Sequence, residues 1–289
     1  PAAKMSDFYS GPEHQPFILG LTSTRATVGA LLIHGFPGTP AEMRPLAERL
    51  AAAGWAAHGP LLPGFGPQIP ILGDKTRHDW LTAVRHTWQQ LRAAHETAVL
   101  IGFSMGGALA LHLAAEAQPP DFLVLLAPFW RLAGWQGNLL PIVKHFQKTF
   151  YPFAQADFND TAVRQQVQEV MPGADLDDPA VQTRIRQEAQ LPTRTIDEVR
   201  RVGLDASKLA AKVHCPTLVL QGLQDTVVLP RFSRQLITRL GGPVTYREIP
   251  GKHTFPKMHS PDAYDFTPEI LNFVAGINRV KSKKQKVKS

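Results

Sequence analysis

The stretch AVLIGFSMGGALALHLA, residues 98–114, joins an apolar strand pattern directly to an apolar helix pattern. Its first five residues predict a strand that is buried on both faces, and the residues from Met105 onward predict a helix. One hydroxyl stands at the junction, on Ser104, with Gly102 and Gly106 two residues away on either side. A helix-capping serine would explain the hydroxyl but would not require both glycines. The stretch therefore predicts a sharp strand-to-helix turn that presents a serine.

Strand and helix patterns alternate on both sides of this turn. The other strands are predicted at residues 29–35, 55–58, 122–127, 216–222 and 243–250. Helices are predicted at residues 39–53, 79–94, 105–118 and 231–240, with a last helix around Ile270, Leu271 and Val274. Thr39 and Glu42 have the spacing of a capping box at the start of the first helix. Because several strands are apolar throughout, the fold class is α/β, with a parallel sheet covered by helices on both faces.

One segment interrupts this alternation. From Phe129 to about Ser207 there is no strand pattern, and an aromatic-rich half is followed by polar helices rich in Gln, Arg and Glu. This pattern predicts a helical cap at residues 129–207, inserted between two parts of one core domain, residues 1–128 and 208–280. Residues 281–289 form a basic tail, which we expect to be solvated and disordered.

The composition of the 289 residues is ordinary for a globular protein, with 44% hydrophobic and 19% charged residues. The net charge of +7 falls to +1 without the six basic residues from Arg279 to Lys288, so nucleic acid is not an expected partner. No metal-binding spacing is present, and no apolar stretch is long enough to cross a membrane. The single cysteine, Cys215, cannot form an internal disulfide. We expect a cytoplasmic protein without a stable membrane anchor.

A serine hydroxyl needs a base and an orienting acid to act as a nucleophile. After a strand-turn-helix serine the expected chain order is serine, acid, histidine. Asp225 follows the strand pattern of PTLVLQG, and His253 follows the strand pattern of VTYREIP. His259 is the alternative base, but His253 lies closer to the end of its strand. The predicted catalytic residues are therefore Ser104, Asp225 and His253.

The reaction of such a serine creates negative charge on oxygen, so backbone N–H donors are also required. One donor is predicted to be Met105, at the start of the helix. The other is Phe36, in the loop HGFPGT after the strand at residues 29–35. His34, in the same loop, is expected to have a structural role.

The stretches LLIHGFPGTPAEMRPLAERLAAAGW, IGFSMGGALAL, PTLVLQGLQD and IPGKH together resemble the α/β-hydrolase superfamily, and in particular its capped bacterial carboxylesterases and monoacylglycerol lipases. The resemblance covers residues 17–277. It implies a mostly parallel eight-stranded sheet with a helical cap inserted after the sixth strand. It also implies that Ser104, Asp225 and His253 are the catalytic residues and that Phe36 and Met105 form the oxyanion hole.

These features predict a serine carboxylesterase that hydrolyses short- to medium-chain esters through an acyl-enzyme. The alternatives are a monoacylglycerol lipase, a thioesterase, or a non-catalytic homologue that binds a small molecule. We expect no cofactor or metal, a small-molecule ester as the partner, and a monomer or homodimer. Phe36, Phe129 and Trp130 are predicted to contact the substrate.

Overall fold

The computed structural model describes residues 5–20, 26–132, 147–171, 173–258 and 263–286. Seven strands form the central sheet: β1 (Phe17–Leu19), β2 (Val28–Ile33), β3 (Ala56–Gly59), β4 (Thr97–Phe103), β5 (Phe122–Leu126), β8 (Thr217–Gly222) and β9 (Val244–Ile249). Their order across the sheet is β1-β3-β2-β4-β5-β8-β9. All neighbouring pairs are parallel except β1 and β3, which are antiparallel. This arrangement confirms the α/β class.

The number of strands differs from the predicted eight, since the described residues contribute seven to this sheet. Among the described residues, the cap follows the fifth strand along the chain. The described chain before β1 forms 3₁₀ turns, Met5–Tyr9 and Pro12–His14, in place of another strand. Pro12 stands at the first position of the second turn, where its missing N–H costs no hydrogen bond.

Helices cover both faces of the sheet. Some belong to the core domain around the sheet, called the body below, and others belong to the cap. They are α1 (Arg44–Ala52), α2 (Arg77–Ala94), α3 (Met105–Ala114), α4 (Thr161–Val170), α5 (Pro179–Glu188), α6 (Thr193–Leu209), α7 (Pro230–Ile237) and α8 (Thr267–Lys286). Alternate residues of each strand enter different cores, since successive side chains point to opposite faces. In β2, Leu31 and Ile33 pack with α2, α3 and α7 on one face. Ala30 and Leu32 pack with α1 and α8 on the other.

The cap has a small core of its own. Phe153, Phe158, Val167, Met171, Leu176 and Ile185 are buried together. Two short strands, β6 (Thr149–Phe150) and β7 (Leu191–Pro192), pair in antiparallel fashion at its base. The sequence shows no strand pattern here, because a two-residue ribbon is too short to produce a periodic pattern.

The helix α6, which was predicted to be part of the cap, packs against the body. Val199, Val202 and Ala206 belong to the same buried cluster as α3. Gly203 allows this approach, since a Cβ there would lie 2.8 Å from backbone atoms of Trp130. The separate buried cluster of the cap is therefore formed by residues before α6.

The last helix, α8, continues as far as Lys286. This differs from the disordered tail predicted for residues 281–289. Lysine and glutamine are good helix formers. In the parts of the chain that the structure describes, no helix has both the length and the apolar character needed to span a membrane.

Candidate active site

Ser104 lies on the tight turn between β4 and α3. Its backbone has φ of 51° and ψ of −116°, which an L-residue rarely adopts. Such a conformation costs about 1–3 kcal/mol and persists only where surrounding structure enforces it. Here the Ser104 N–H donates to the carbonyl of Leu126, and the Ser104 carbonyl accepts from Phe129 N–H. The end of β5 and the segment that follows it thus hold the strained residue in place.

The two flanking glycines are required by close backbone approach, as the sequence predicted. A Cβ on Gly102 would lie 2.3 Å from the carbonyl oxygen of Gly106. A Cβ on Gly106 would lie 2.2 Å from the carbonyl oxygen of Ile33. Both contacts are with backbone atoms, so neither clash could be relieved by moving a side chain.

The three predicted catalytic residues lie together. His253 Nε2 is 3.1 Å from Ser104 Oγ, and His253 Nδ1 is 2.8 Å from Asp225 Oδ2. A carboxylate can only accept hydrogen bonds, so Nδ1 carries the proton and Nε2 is free to accept from the serine. The His253 ring also packs on Phe103, with ring centroids 5.0 Å apart. This geometry can transfer a proton from Ser104 to His253. His259, the alternative base, lies outside the described residues.

Asp225 is held in place by hydrogen bonds to both of its carboxylate oxygens. Oδ1 accepts from the N–H groups of Val227 and Val228, at 2.9 and 2.8 Å. Oδ2 accepts from the side-chain amide of Gln221 at 3.0 Å, in addition to His253. The carboxylate is almost fully buried, with an exposed fraction of 3%. Four donors therefore stabilise its charge away from water.

The predicted oxyanion donors, Phe36 and Met105, come from the loop after β2 and from the start of α3. Phe36 is in a turn closed by the hydrogen bond from Gly38 N–H to Gly35 O, and Met105 is the first residue of α3. Among the residues that the structure describes, no hydrogen-bond acceptor is found for either N–H group. Both donors are thus available to a negatively charged oxygen formed at Ser104.

The side chain of His34 orients the peptide that carries the Phe36 N–H. Its Nε2 accepts from Leu62 N–H at 3.1 Å, which leaves the proton on Nδ1. Nδ1 therefore donates to Gly35 O, 2.9 Å away. Because the C=O and N–H of a trans peptide point in opposite directions, fixing Gly35 O also fixes the direction of the Phe36 N–H. This contact agrees with the structural role expected for His34.

Burial lowers the pKa of four histidines, and this predicts a loss of stability on mild acidification. Desolvation is the largest cause for His14, His34, His58 and His112. A folded-state pKa below the unfolded value means that the unfolded chain binds more protons as pH falls below about 6.5, so stability decreases there. We expect the melting temperature to fall between pH 7.5 and 5.5, a range above the usual carboxylate pKa values. The His34→Gln variant should show a shallower fall, and a melting temperature that rises on acidification would contradict this prediction.

Glu42 connects the loop of Phe36 to the loop of His253. Its Oε2 accepts from Gly35 N–H at 3.0 Å, and its Oε1 pairs with Lys257 Nζ at 3.3 Å. The predicted capping box with Thr39 is therefore not formed by Glu42. The turn at Pro40–Glu42 is a 3₁₀ helix, and the buried Lys257 provides a charged partner that the sequence pattern did not reveal.

A cavity of about 420 Å³ is lined by His253 of the triad, together with Phe36 and Phe103. Ser104 and Asp225 are not among its lining residues. Polar side chains line much of the remainder. They come from the cap, the turn Pro40–Glu42, the loop after β8 and the loop of His253: Gln165, Gln166, Glu42, Thr226, Lys252, Thr254 and Lys257. Gln165 and Gln166 could not be identified from the sequence, because exposed glutamines on a cap helix resemble those on any solvated helix face.

The structure places Phe36 at this cavity but not the other two predicted substrate contacts. Phe129 and Trp130 are buried in the core on the α3 face of the sheet, with exposed fractions of 7% and 4%. The indole N–H of Trp130 donates to the carbonyl of Phe232. Neither ring is among the residues that line the cavity. Their prediction as substrate contacts is corrected, because aromatic rings in a core and in a pocket give the same sequence pattern.

No metal centre is evident in the described part of the chain, where no group of three or more His, Cys, Asp or Glu side chains could hold an ion. Cys215 is buried, and burial raises the pKa of its thiol to about 11, so the thiolate is disfavoured at neutral pH.

Comparison with solved structures defines the class of fold. A structure from work on two metagenome-derived lipolytic enzymes, LipS and LipT, superimposes with a TM-score of 0.69. It is 20% identical and covers 93% of this chain and 98% of that chain. This likeness confirms the α/β-hydrolase fold.

The chain belongs to the family described as serine aminopeptidase, S33, which it matches over residues 22–253. It is similar to a thermostable monoacylglycerol lipase of Bacillus sp. (strain H-257), with 45% identity over 87 residues, 30% of this chain and 35% of the relative. It is also similar to Lipase 3 of Moraxella sp. (strain TA144), with 27% identity over 211 residues, 69% of this chain and 63% of the relative. These matches span from about a third to less than two thirds of the relatives' length.

Proposed function

We propose that this protein is a serine hydrolase that cleaves carboxylic esters of short to medium acyl chain length. The observation that carries the proposal is the chain of hydrogen bonds from Asp225 through His253 to Ser104, beside two unengaged backbone donors. The family relationship agrees with it, although a shared fold alone does not fix a reaction.

The reaction follows from these positions. His253 Nε2 accepts the Ser104 proton while Oγ attacks the ester carbonyl, and the oxygen of the tetrahedral intermediate is stabilised by the Phe36 and Met105 N–H groups. The intermediate collapses as His253 gives the proton to the departing alcohol, which leaves an acyl group on Ser104. Water then attacks with His253 as base, and the acid is released.

The size of the cavity supports a preference for short to medium acyl groups. Its volume of about 420 Å³ lies toward the lower end of the range for small-molecule sites, about 300–1,000 Å³. Each methylene buried against the apolar part of the wall contributes about 0.8 kcal/mol, so specificity should rise with chain length until the acyl group meets the end of the cavity.

We expect kcat/KM on p-nitrophenyl esters, measured from acetate to palmitate, to reach a maximum at an intermediate length and then to fall. The cavity wall is the physical reason for the decline. A value that still rises at palmitate would reject the bounded cavity and favour a lipase for long chains. An alanine p-nitroanilide measured in parallel shows whether the family's peptidase description extends to this chain.

A second candidate function is the hydrolysis of monoacylglycerols. It is favoured by the similarity to the Bacillus monoacylglycerol lipase and by the polar lining that Gln165, Gln166 and Thr226 give to the cavity. Hydroxyl groups of a glycerol could exchange hydrogen bonds with such side chains. Comparing kcat/KM for 1-monooctanoylglycerol and ethyl octanoate distinguishes the two candidates. A monoacylglycerol lipase should prefer 1-monooctanoylglycerol.

Location and assembly also belong to the proposal. We infer a cytoplasmic location, with which the one buried and unpaired cysteine is consistent. We infer a monomer or homodimer as the assembly. The same groups have the chemistry to hydrolyse a thioester. A non-catalytic binding role is disfavoured, because binding alone does not require His253 within hydrogen-bond distance of Ser104.

A further inference from the structure

A buried amide lies directly behind the predicted catalytic acid. Gln221, near the end of β8, has an exposed fraction of 0%. Its Nε2 donates to Asp225 Oδ2 and to the carbonyl of Val228, both at 3.0 Å, with the carbonyl of Gly222 at 3.3 Å. Its Oε1 accepts from Ser233 Oγ at 2.5 Å. A hydrogen-bonded chain therefore runs from α7 through Gln221 to the triad.

The orientation of this amide follows from its partners. The groups around Nε2 are a carboxylate and backbone carbonyls, which can only accept. The opposite orientation would place an amide oxygen against these acceptors. Ser233, which is fully buried on α7, supplies the one donor that Oε1 requires. The amide is thus fully paired, and it cannot rotate without loss of buried hydrogen bonds.

Gln221 and His253 contact the same carboxylate oxygen. Oδ2 of Asp225 lies 3.0 Å from Gln221 Nε2 and 2.8 Å from His253 Nδ1. The amide therefore affects the base in two ways: it fixes the position of Oδ2 toward His253, and it draws charge from that oxygen. The two donors on Oδ1 come from backbone and remain in any variant of Gln221.

We propose that Gln221, anchored by Ser233, is a positioning residue for the reaction, because it holds Oδ2 of Asp225 where His253 needs it and limits the negative charge felt by the imidazole. This inference rests on the proposed serine hydrolase function. Neither Gln221 nor Ser233 reaches the substrate cavity.

The proposal predicts a shift in pH dependence with a definite sign. Removing the amide leaves more negative charge on Oδ2, which favours the protonated form of His253. The acid limb of the kcat/KM profile, which reports the free enzyme, should therefore move to higher pH. The other charged groups around the cavity with His253 are Lys252 and the pair of Glu42 and Lys257, and these are unchanged by the substitution.

The test compares Gln221→Met with Gln235→Met, which makes the same replacement at an exposed position of α7. With p-nitrophenyl butyrate, Gln221→Met should lower kcat/KM about tenfold through misplacement of the base. Its acid limb should move upward by about half a pH unit. Gln235→Met should match the wild type in both. A Gln221→Met enzyme that is merely less stable, with an unmoved acid limb, would overturn the proposal.

Ser233→Ala is the second variant, and it decides the question if Gln221→Met does not fold. It leaves the amide present but loosely anchored, so we expect a smaller shift of the acid limb in the same direction. An unshifted profile in Ser233→Ala contradicts the proposal in that case. Ser104→Ala separates this outcome from failure of the proposed function: if wild type is inactive on esters, or Ser104→Ala is active, the serine hydrolase assignment itself fails.

Discussion

Replacing Ser104 by alanine is expected to lower kcat/KM for p-nitrophenyl butyrate by at least about a thousandfold. The substitution removes the only atom that can form the acyl-enzyme, while the oxyanion donors and the cavity remain. Stability should not fall, because the side chain is small and the strain is in the backbone. Steady-state kinetics on both proteins, with melting temperatures as the control, provide the measurement.

The same loss is expected for His253→Ala, since His253 Nε2 is the group next to Ser104 Oγ. His259→Ala is the matched control, and it should remain active. Activity that survives in His253→Ala but disappears in His259→Ala would show that the base is assigned to the wrong residue. Full activity of Ser104→Ala would contradict the nucleophile itself.

The second large effect is expected for Asp225→Asn, with a loss of kcat on the order of 10⁴-fold, as found when a triad aspartate is replaced in this way. Oδ1 accepts two backbone N–H groups, so the asparagine oxygen must take that position. Its NH₂ group then replaces Oδ2 and donates to His253 Nδ1. The proton of the histidine moves to Nε2, which can no longer accept from Ser104.

A matched control for this variant is Asp178→Asn, at the N-cap of α5, where the side chain accepts from Ala180 N–H and asparagine caps equally well. It should leave activity unchanged. If Asp225→Asn retained most of its activity, a different tautomer or a different acid would be required, and the hydrogen bond of 2.8 Å to His253 would have no catalytic meaning.

The parts of the site that the sequence predicted are those imposed by local geometry and chain order. The glycines around Ser104 reflect backbone contacts closer than any Cβ could tolerate, so they are visible in the sequence itself. Asp225 and His253 follow directly after β8 and β9, and parallel strands bring their carboxyl ends to one edge of the sheet. The positions of these three side chains agree with what the pattern predicted.

Tertiary partners could not be predicted in the same way. The periodic pattern of α6 shows that one face is buried, but not whether it packs on the cap or on α3. Phe129 and Trp130 are apolar in either environment, and the structure places them in the core. Glu42 had a local capping partner in the sequence, whereas its partners in the structure, Gly35 and Lys257, depend on how distant loops meet.

Covalent labelling with a fluorophosphonate tests the central claim most directly. The reagent forms a stable adduct only with an activated serine, so it reports the nucleophile without any choice of substrate. Intact-mass and peptide mass spectrometry should find one adduct per chain, on Ser104, with labelling abolished in Ser104→Ala and strongly slowed in Asp225→Asn. An unlabelled wild-type protein, or an adduct on a different residue while esters are still hydrolysed, would contradict the assignment of Ser104, His253 and Asp225 as the catalytic groups.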